Sequence, residues 1–335
     1  MKTLIRVGVT LWSVGTLGLA AIVLSSITGA SAPRIGASVS AYAAGVSQVS
    51  REAAAAPVAA EWARPAWYPA GADVEALPML SSEGPRSGLS LRARSAFIYD
   101  LDAGKVLFEK NADNVRPVAS ITKLVSSLTF MSLQPNLDDG ICVTAAQYPS
   151  RSGARSRLST GDCLHGWDVL GAALVASDNR AALGLAAAAG ADVEDFVSQM
   201  NVVSAELGMD HSSWTDPSGL EDENLSTARD IARATIAVAA HPVLSMVASA
   251  PFWDIERDGH STRRLFSTDH LVGREDLVIE AAKTGYTDTA RYCFTTVLQT
   301  EDGRRIVVTL LGADGKMTRW ADMGRVLDWL EQAKG

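Results

Sequence analysis

PVASITKLVSSLTFM, Pro117 to Met131, decides how this chain is read. Apolar Ile121, Leu124, Val125, Leu128 and Met131 follow the i, i+3, i+4, i+7 spacing of a helix that buries one face. Ser120 stands at the predicted start, where unpaired backbone N–H groups carry partial positive charge and would stabilise an anion. Lys123, three residues on, reaches back over the same face. A serine hydroxyl is a weak nucleophile until a base adjoins it, and a desolvated lysine can be that base. Of the seven lysines only Lys123 has a serine three positions before it, and that pair opens an apolar helix. The spacing therefore predicts Ser120 as nucleophile and Lys123 as base. The competing reading is a serine and a lysine that share a helix face without chemistry.

Two triplets downstream decide between these readings. SDN, Ser177 to Asn179, is the only Ser-x-Asn in the chain, and KTG, Lys283 to Gly285, sits where a strand is predicted to end. Each is common alone. In the order S-x-x-K, S-x-N, K-T-G, with gaps of about sixty and about one hundred residues, they form the signature of penicillin-binding proteins and class A β-lactamases. Acyl transfer needs a nucleophile, a base, an acid for the leaving amine, an oxyanion hole and a handle for the substrate carboxylate. Ser120 attacks and Lys123 takes its proton. Ser177 relays that proton to the departing nitrogen, and the Asn179 amide holds Lys123 and the substrate backbone. Lys283 supplies charge for a carboxylate and Thr284 a hydroxyl donor. Gly285 lets substrate lie along the strand edge, and the N–H groups of Ser120 and Tyr286 are the expected oxyanion donors.

From about Ser95 to Trp329 the chain resembles the low-molecular-mass penicillin-binding proteins of the D-alanyl-D-alanine carboxypeptidase and endopeptidase family, most of all the endopeptidase branch. RPVASITKL, SDNRAA, DPSGL followed by NLSTARD, and KTGYTDTARYC carry the resemblance. It implies the serine β-lactamase/transpeptidase-like fold, no cofactor, peptidoglycan stem peptides as substrate and β-lactams as covalent inhibitors. The middle triplet has Asp178 where several relatives have Gly or Glu, which leaves the flanking roles of Ser177 and Asn179 intact. ARYC stands where endopeptidase relatives have GRC, and Arg291 is expected to reach a substrate carboxylate.

The rest of the chain is read around these motifs. Strand-like runs at Ala96 to Tyr99 and Val106 to Glu109 flank a DAG turn and predict a hairpin. Helical patterns follow at Trp167 to Ala176, after SDN, at Val193 to Leu207, and after Ser226 or Thr227 as cap. A polar segment carries His260 and His270. Strands Leu277 to Lys283, Arg291 to Gln299 and Arg305 to Leu311 come next, then an amphipathic helix, Met317 to Gln332, with Trp320, Met323, Val326, Leu327 and Leu330 on one face. Strands at both ends with helices between predict an α/β (α+β) domain over 91–335, its antiparallel sheet built from N- and C-terminal segments and packed on a helical cluster.

Residues 1–43 read as an export signal: Lys2 and Arg6, then an uncharged run to Ile27, with ASA and AYA as candidate cleavage sites. Cleavage is the reading preferred, with retention as a single membrane anchor the alternative. Residues 44–90, rich in Ala and Pro, read as a linker. An exported chain is expected in the periplasm or an equivalent oxidising compartment, where Cys142 and Cys163, on β-prone segments flanking an arginine-bearing loop, are expected to pair and Cys293 to stay buried.

Net charge of −8 argues against nucleic acid. The five scattered histidines lack HExxH or paired spacing, which argues against a metal peptidase. A class A β-lactamase would need a deacylating glutamate, and Glu221 and Glu223 do not stand in a Glu-x-x-Leu-Asn motif. A non-enzymatic wall-binding module would not need all three motifs. Between the two peptidase activities, the end of the sequence directly after its closing helix is read as favouring endopeptidase. The resemblance implies this contrast, because carboxypeptidase relatives usually continue into a β-rich second domain and an amphipathic membrane helix.

Overall fold

The computed structural model describes residues 88–143, 156–257 and 261–332. The expected leader, nearly all of the linker, and Arg151 and Arg155 of the arginine loop lie outside them. The described chain opens with the predicted hairpin, β1 (Ser95–Asp100) and β2 (Lys105–Lys110). Its turn is set by Asp100, whose Oδ1 accepts from the Asp102 and Ala103 N–H groups at 3.1 and 2.9 Å. A short β3 (Arg116–Pro117) leads through a 3₁₀ turn (Ala119–Ile121) into α1 (Thr122–Ser132). Ser120 thus lies inside the 3₁₀ turn, two residues before the α-helix. Every residue of α1 from Thr122 to Phe130 is buried, which corrects the expectation of a single buried face. Helices surround α1, and its small polar residues allow that: Ser126 Oγ donates to the Pro217 carbonyl at 2.6 Å.

The ribbon β4 (Gly140–Cys142) and β5 (Cys163–His165) sets Cys142 opposite Cys163. The two are disulfide-bonded, as the sequence predicts, and Cys293 is a buried free thiol. Helices α2 (Gly166–Leu174), α3 (Asn179–Ala188) and α4 (Val193–Glu206) follow. Then come β6 (Leu225–Ser226), paired with β3, and α5 (Ala228–Ala240) with α6 (Pro242–Ala248). Thr227 caps α5 by accepting from the Asp230 N–H at 3.1 Å. The polar stretch before the last strands is itself a hairpin, β7 (Phe252–Arg257) and β8 (Ser261–Phe266). In β7 Trp253 and Ile255 point inward, but in β8 only Leu265 is buried, so half of the hairpin carries no apolar alternation.

Strands β9 (Val278–Thr287), β10 (Arg291–Gln299) and β11 (Arg305–Ala313) and helix α7 (Lys316–Gln332) complete the described chain. The sheet order is β2-β1-β11-β10-β9, antiparallel throughout, with Phe97 of β1 opposite Thr309 of β11. N- and C-terminal segments therefore share one sheet, as expected. Both faces are buried. Phe97, Cys293, Val297 and Val307 face the helical cluster around α1 and α5, while Ile98, Phe294 and Leu310 face Met323, Val326 and Leu330 of α7. Strand β9 runs on to Thr287, so Lys283 to Gly285 lie within an edge strand and not at its end. The turn-forming residues of TGYTDTA suggested a break that pairing with β10 overrides. No single helix among the described residues is long and apolar enough to cross a membrane.

Candidate active site

The turn carrying Ser120 is strained and clamped. Ala119 is left-handed at φ +52°, a conformation non-glycine residues hold only when their surroundings impose it. Thr122 Oγ1 donates to the Ala119 carbonyl at 2.8 Å, and the Ile121 N–H to the Val118 carbonyl at 3.3 Å. Two glycines then let other backbones press on this turn. A Cβ on Gly219, itself left-handed at φ +80°, would run into the Ala119 carbonyl and sit 3.0 Å from the Ser120 nitrogen. A Cβ on Gly285 would sit 2.8 Å from the Val118 carbonyl oxygen and 3.2 Å from the Ile121 nitrogen. Gly285 is thus required for β9 to pack on the Ser120 turn, a reason that reading the KTG triplet alone does not supply.

Lys123, on the first turn of α1, is fully buried. Its Nζ donates to Ser120 Oγ at 2.8 Å, to Asn179 Oδ1 at 2.7 Å and to the Ser218 carbonyl at 2.5 Å. None of these acceptors is charged. Burial lowers the Lys123 pKa from 10.5 to about 7, against the opposing pull of Asp216 and Asp178. A neutral amine beside a serine hydroxyl is within reach at physiological pH.

The SDN triplet sits between α2 and α3. Ser177 is left-handed at φ +57°, and Asn179 begins α3, which directs its amide to Lys123. Asp178 is the N-cap: its carboxylate accepts from the N–H groups of Arg180 and Ala181 at 3.0 and 3.2 Å, from Ser156 Oγ at 2.7 Å and from the Arg157 N–H at 2.5 Å. It ties the end of the arginine loop to the site and leaves the flanking positions untouched, as the sequence implied.

Lys283 on β9 is also buried, and its Nζ donates to Ser177 Oγ at 2.9 Å and to the Thr284 carbonyl at 3.2 Å. Burial pushes its pKa well down, with Lys123 and Arg319 adding to the shift and Asp269 opposing it. Among the described residues it has no carboxylate at ion-pair distance. The hydroxyls of Thr284 and Thr268 share a hydrogen bond of 2.6 Å. Tyr286, 46% exposed, stands at the rim with its ring on Tyr292, centroids 4.3 Å apart, and its hydroxyl on Asp288 at 2.8 Å. Arg291, at φ +62°, pairs with Thr287 at the start of β10. It is exposed beside this rim and is not joined to the hydrogen-bonded cluster.

The structure thus gathers Ser120, Lys123, Ser177, Asn179 and Lys283 into one polar cluster from three separate segments. Several partners were missed by the sequence reading. Ser218 accepts from Lys123 through its backbone, which no motif encodes. Asp216 organises that loop by accepting from the N–H groups of Ser218, Gly219 and Glu221 at 2.5, 2.9 and 2.8 Å, and from Asn224 Nδ2 at 2.9 Å. The Asp-Pro and Gly of DPSGL were the available signal, a tight turn within a stretch used above only to carry the resemblance. Arg319, buried on α7, donates to the carbonyls of Cys293 at 3.0 Å and Gly285 at 3.5 Å. It lies beyond any motif.

A nucleophile touching a desolvated amine, a second hydroxyl touching a second amine, and an edge strand alongside make up the equipment of acyl transfer to serine. Comparison with known proteins agrees. A D-alanyl-D-alanine endopeptidase of Pseudomonas aeruginosa is 34% identical over 257 residues, covering 75% of this chain and 82% of the relative. A D-alanyl-D-alanine endopeptidase of Escherichia coli K12 is 33% identical over 243 residues, covering 72% and 77%. Penicillin-Binding Protein D2 of Listeria monocytogenes, solved with cefotaxime bound, superposes with a TM-score of 0.64 at 26% identity over 72% of this chain and 98% of that one. The family model described as D-alanyl-D-alanine carboxypeptidase, peptidase S11, matches residues 81–315, and this chain belongs to that family of serine peptidases.

Proposed function

We propose that the protein hydrolyses peptidoglycan cross-links at the D-alanyl–diamino acid bond through an acyl-enzyme on Ser120. The observation that carries this reading is Lys123 Nζ at 2.8 Å from Ser120 Oγ, in an environment that brings its pKa to about 7. Lys123 takes the hydroxyl proton as Oγ bonds to the D-alanyl carbonyl carbon, and the oxyanion settles on the N–H groups of Ser120 and Tyr286. The C–N bond then breaks as Ser177, whose oxygen accepts from Lys283, gives its hydroxyl proton to the leaving amine and regains the one that Lys123 took from Ser120. Water then attacks the ester as Lys123, neutral again, takes its proton; the bond from Oγ to the acyl carbon breaks, and Lys123 returns the proton to Ser120 Oγ. Asn179 holds Lys123 through Oδ1 and presents its amide N–H₂ to the substrate backbone, which adds along β9.

Lys283, Thr284 and Arg291 receive the carboxylate next to the scissile bond, and β-lactams acylate Ser120 in place of the peptide. The chain acts after export, outside the cytoplasm. The relatives named as endopeptidases support cleavage of cross-links over trimming. The carboxypeptidase reading uses the same cluster, because terminal D-alanine and the D-centre of a diamino acid both present a carboxylate beside the scissile amide. Incubation of purified protein with cross-linked dimeric and with monomeric pentapeptide muropeptides separates them. Conversion of dimer to monomer is the expected result; release of D-alanine with the dimer intact would transfer the assignment to the carboxypeptidase.

A further inference from the structure

Behind the Lys283 end of the site lies a carboxylate to which the reaction as written gives no part. Asp269, 7% exposed, follows Thr268, whose hydroxyl binds that of Thr284 at 2.6 Å and so pins the segment to β9. One oxygen of Asp269 accepts from the Leu271 N–H at 2.8 Å, while the other is buried without a hydrogen-bond partner. The cations whose charge favours its ionised form are Arg319 of α7 and then Lys283 of β9, and among the described residues the Arg319 Nε is also buried without a partner. Burial of a carboxylate oxygen with no donor is unfavourable. That makes plain packing a poor reason for an acid here. Among the described residues Lys283 in turn touches uncharged acceptors alone, Ser177 Oγ and the Thr284 carbonyl, while Lys123 and Arg319 oppose its charge.

We propose that Asp269 is a positioning residue for carboxylate-bearing substrates: it is the built-in counter-charge that holds the Lys283 end of the site ready for the incoming anion. The inference rests on the reading of Lys283 as the carboxylate handle. Without Asp269 no carboxylate among the described residues would offset the repulsion of Lys283 by Lys123 and Arg319, since Asp216 and Asp178 act on Lys123. Lys283 would then shed its proton and lose its grip on a carboxylate. Asp269 itself takes up a proton at about pH 6, raised by burial against the pull of the Leu271 N–H, Arg319, Lys283 and the His270 backbone. Its effect is therefore present above that pH and fades below it.

The test compares acylation of Ser120 by a penicillin and by the methyl ester of the same penicillin, in wild type, Asp269→Asn and Asp269→Glu. Asn keeps the acceptor for Leu271 and removes the charge. An opposite charge favours the protonated amine, and each unit of pKa it supplies is tenfold in the charged fraction. At pH 7.5 Asp269→Asn should lose about tenfold in acylation efficiency on the free acid and change little on the ester. Asp269→Glu should keep the wild-type preference, and at pH 5 the gap between wild type and Asp269→Asn should close. Equal loss on acid and ester, or an undiminished preference for the acid in Asp269→Asn, would overturn the inference. Wild type acylated by neither compound would instead overturn the reading of Ser120 beneath it.

Discussion

The rate of Ser120 acylation at saturating β-lactam should follow the neutral form of Lys123. With its pKa at about 7, roughly half of Lys123 is neutral at pH 7, against about one part in three thousand for a lysine at 10.5. Between pH 5.5 and 8.5 the neutral fraction climbs from about 3% to about 97%, so the rate should rise about thirtyfold and level off. An unshifted lysine would give a rise of about a thousandfold over the same span with no plateau. Saturation matters, because deprotonation of Lys283 weakens capture on the alkaline side and would distort a second-order constant. Stopped-flow with a fluorescent β-lactam reads the rate directly. A flat profile, or one still climbing tenfold per unit at pH 9, would refute the assignment of Lys123 as the desolvated base.

The same shift predicts a stability effect whose sign is fixed by linkage. Between about pH 7 and 10.5 the unfolded chain keeps a proton on Lys123 that the folded chain has released. The Lys123 contribution to stability therefore rises with pH across that window, by up to about 1.4 kcal/mol per unit. Below pH 7 both states are protonated and the contribution is constant. Denaturant unfolding of wild type and Lys123→Met should show the difference between them growing over that window.

Two further outcomes follow from the geometry. Gly219→Ala places a Cβ against the Ala119 carbonyl in a left-handed residue; the backbone conformation alone destabilises by about 1–2 kcal/mol. Acylation should fall about a hundredfold, because the displaced group is the Ser120 turn; a folded variant with normal acylation would show that the clamp is not needed. Closing the 21-residue separation between Cys142 and Cys163 should contribute about 3 kcal/mol. Cys142→Ser should lose that amount by urea unfolding. Native peptide mapping that finds both cysteines alkylatable would remove the basis for the expectation.

What the sequence made legible here was whatever the chain writes locally. The S-x-x-K helix start, the β1–β2 hairpin with its Asp100 turn, the Thr227 cap and the apolar face of α7 are each short-range patterns. The three motifs added the long-range assembly, since their joint chemistry demands that Ser120, Ser177 and Lys283 meet. Illegible parts depend on partners distant in sequence. KTG was read as a strand end because Thr284, Gly285 and Thr287 look like turn residues, and only the ladder to β10 makes them strand. Strand β8 shows water four consecutive residues, Ser261 to Arg264. Ser218 accepts through its carbonyl, and Asp269 and Arg319 are charged residues whose burial no periodicity reveals.

The central claim is that Ser120, activated by Lys123, is the residue acylated. Intact-mass analysis with peptide mapping after exposure to benzylpenicillin tests it most directly. The account predicts one penicilloyl group, located on the peptide containing Ser120, and none in Ser120→Ala. Absence of the adduct from wild type, or its undiminished presence in Ser120→Ala, would contradict it.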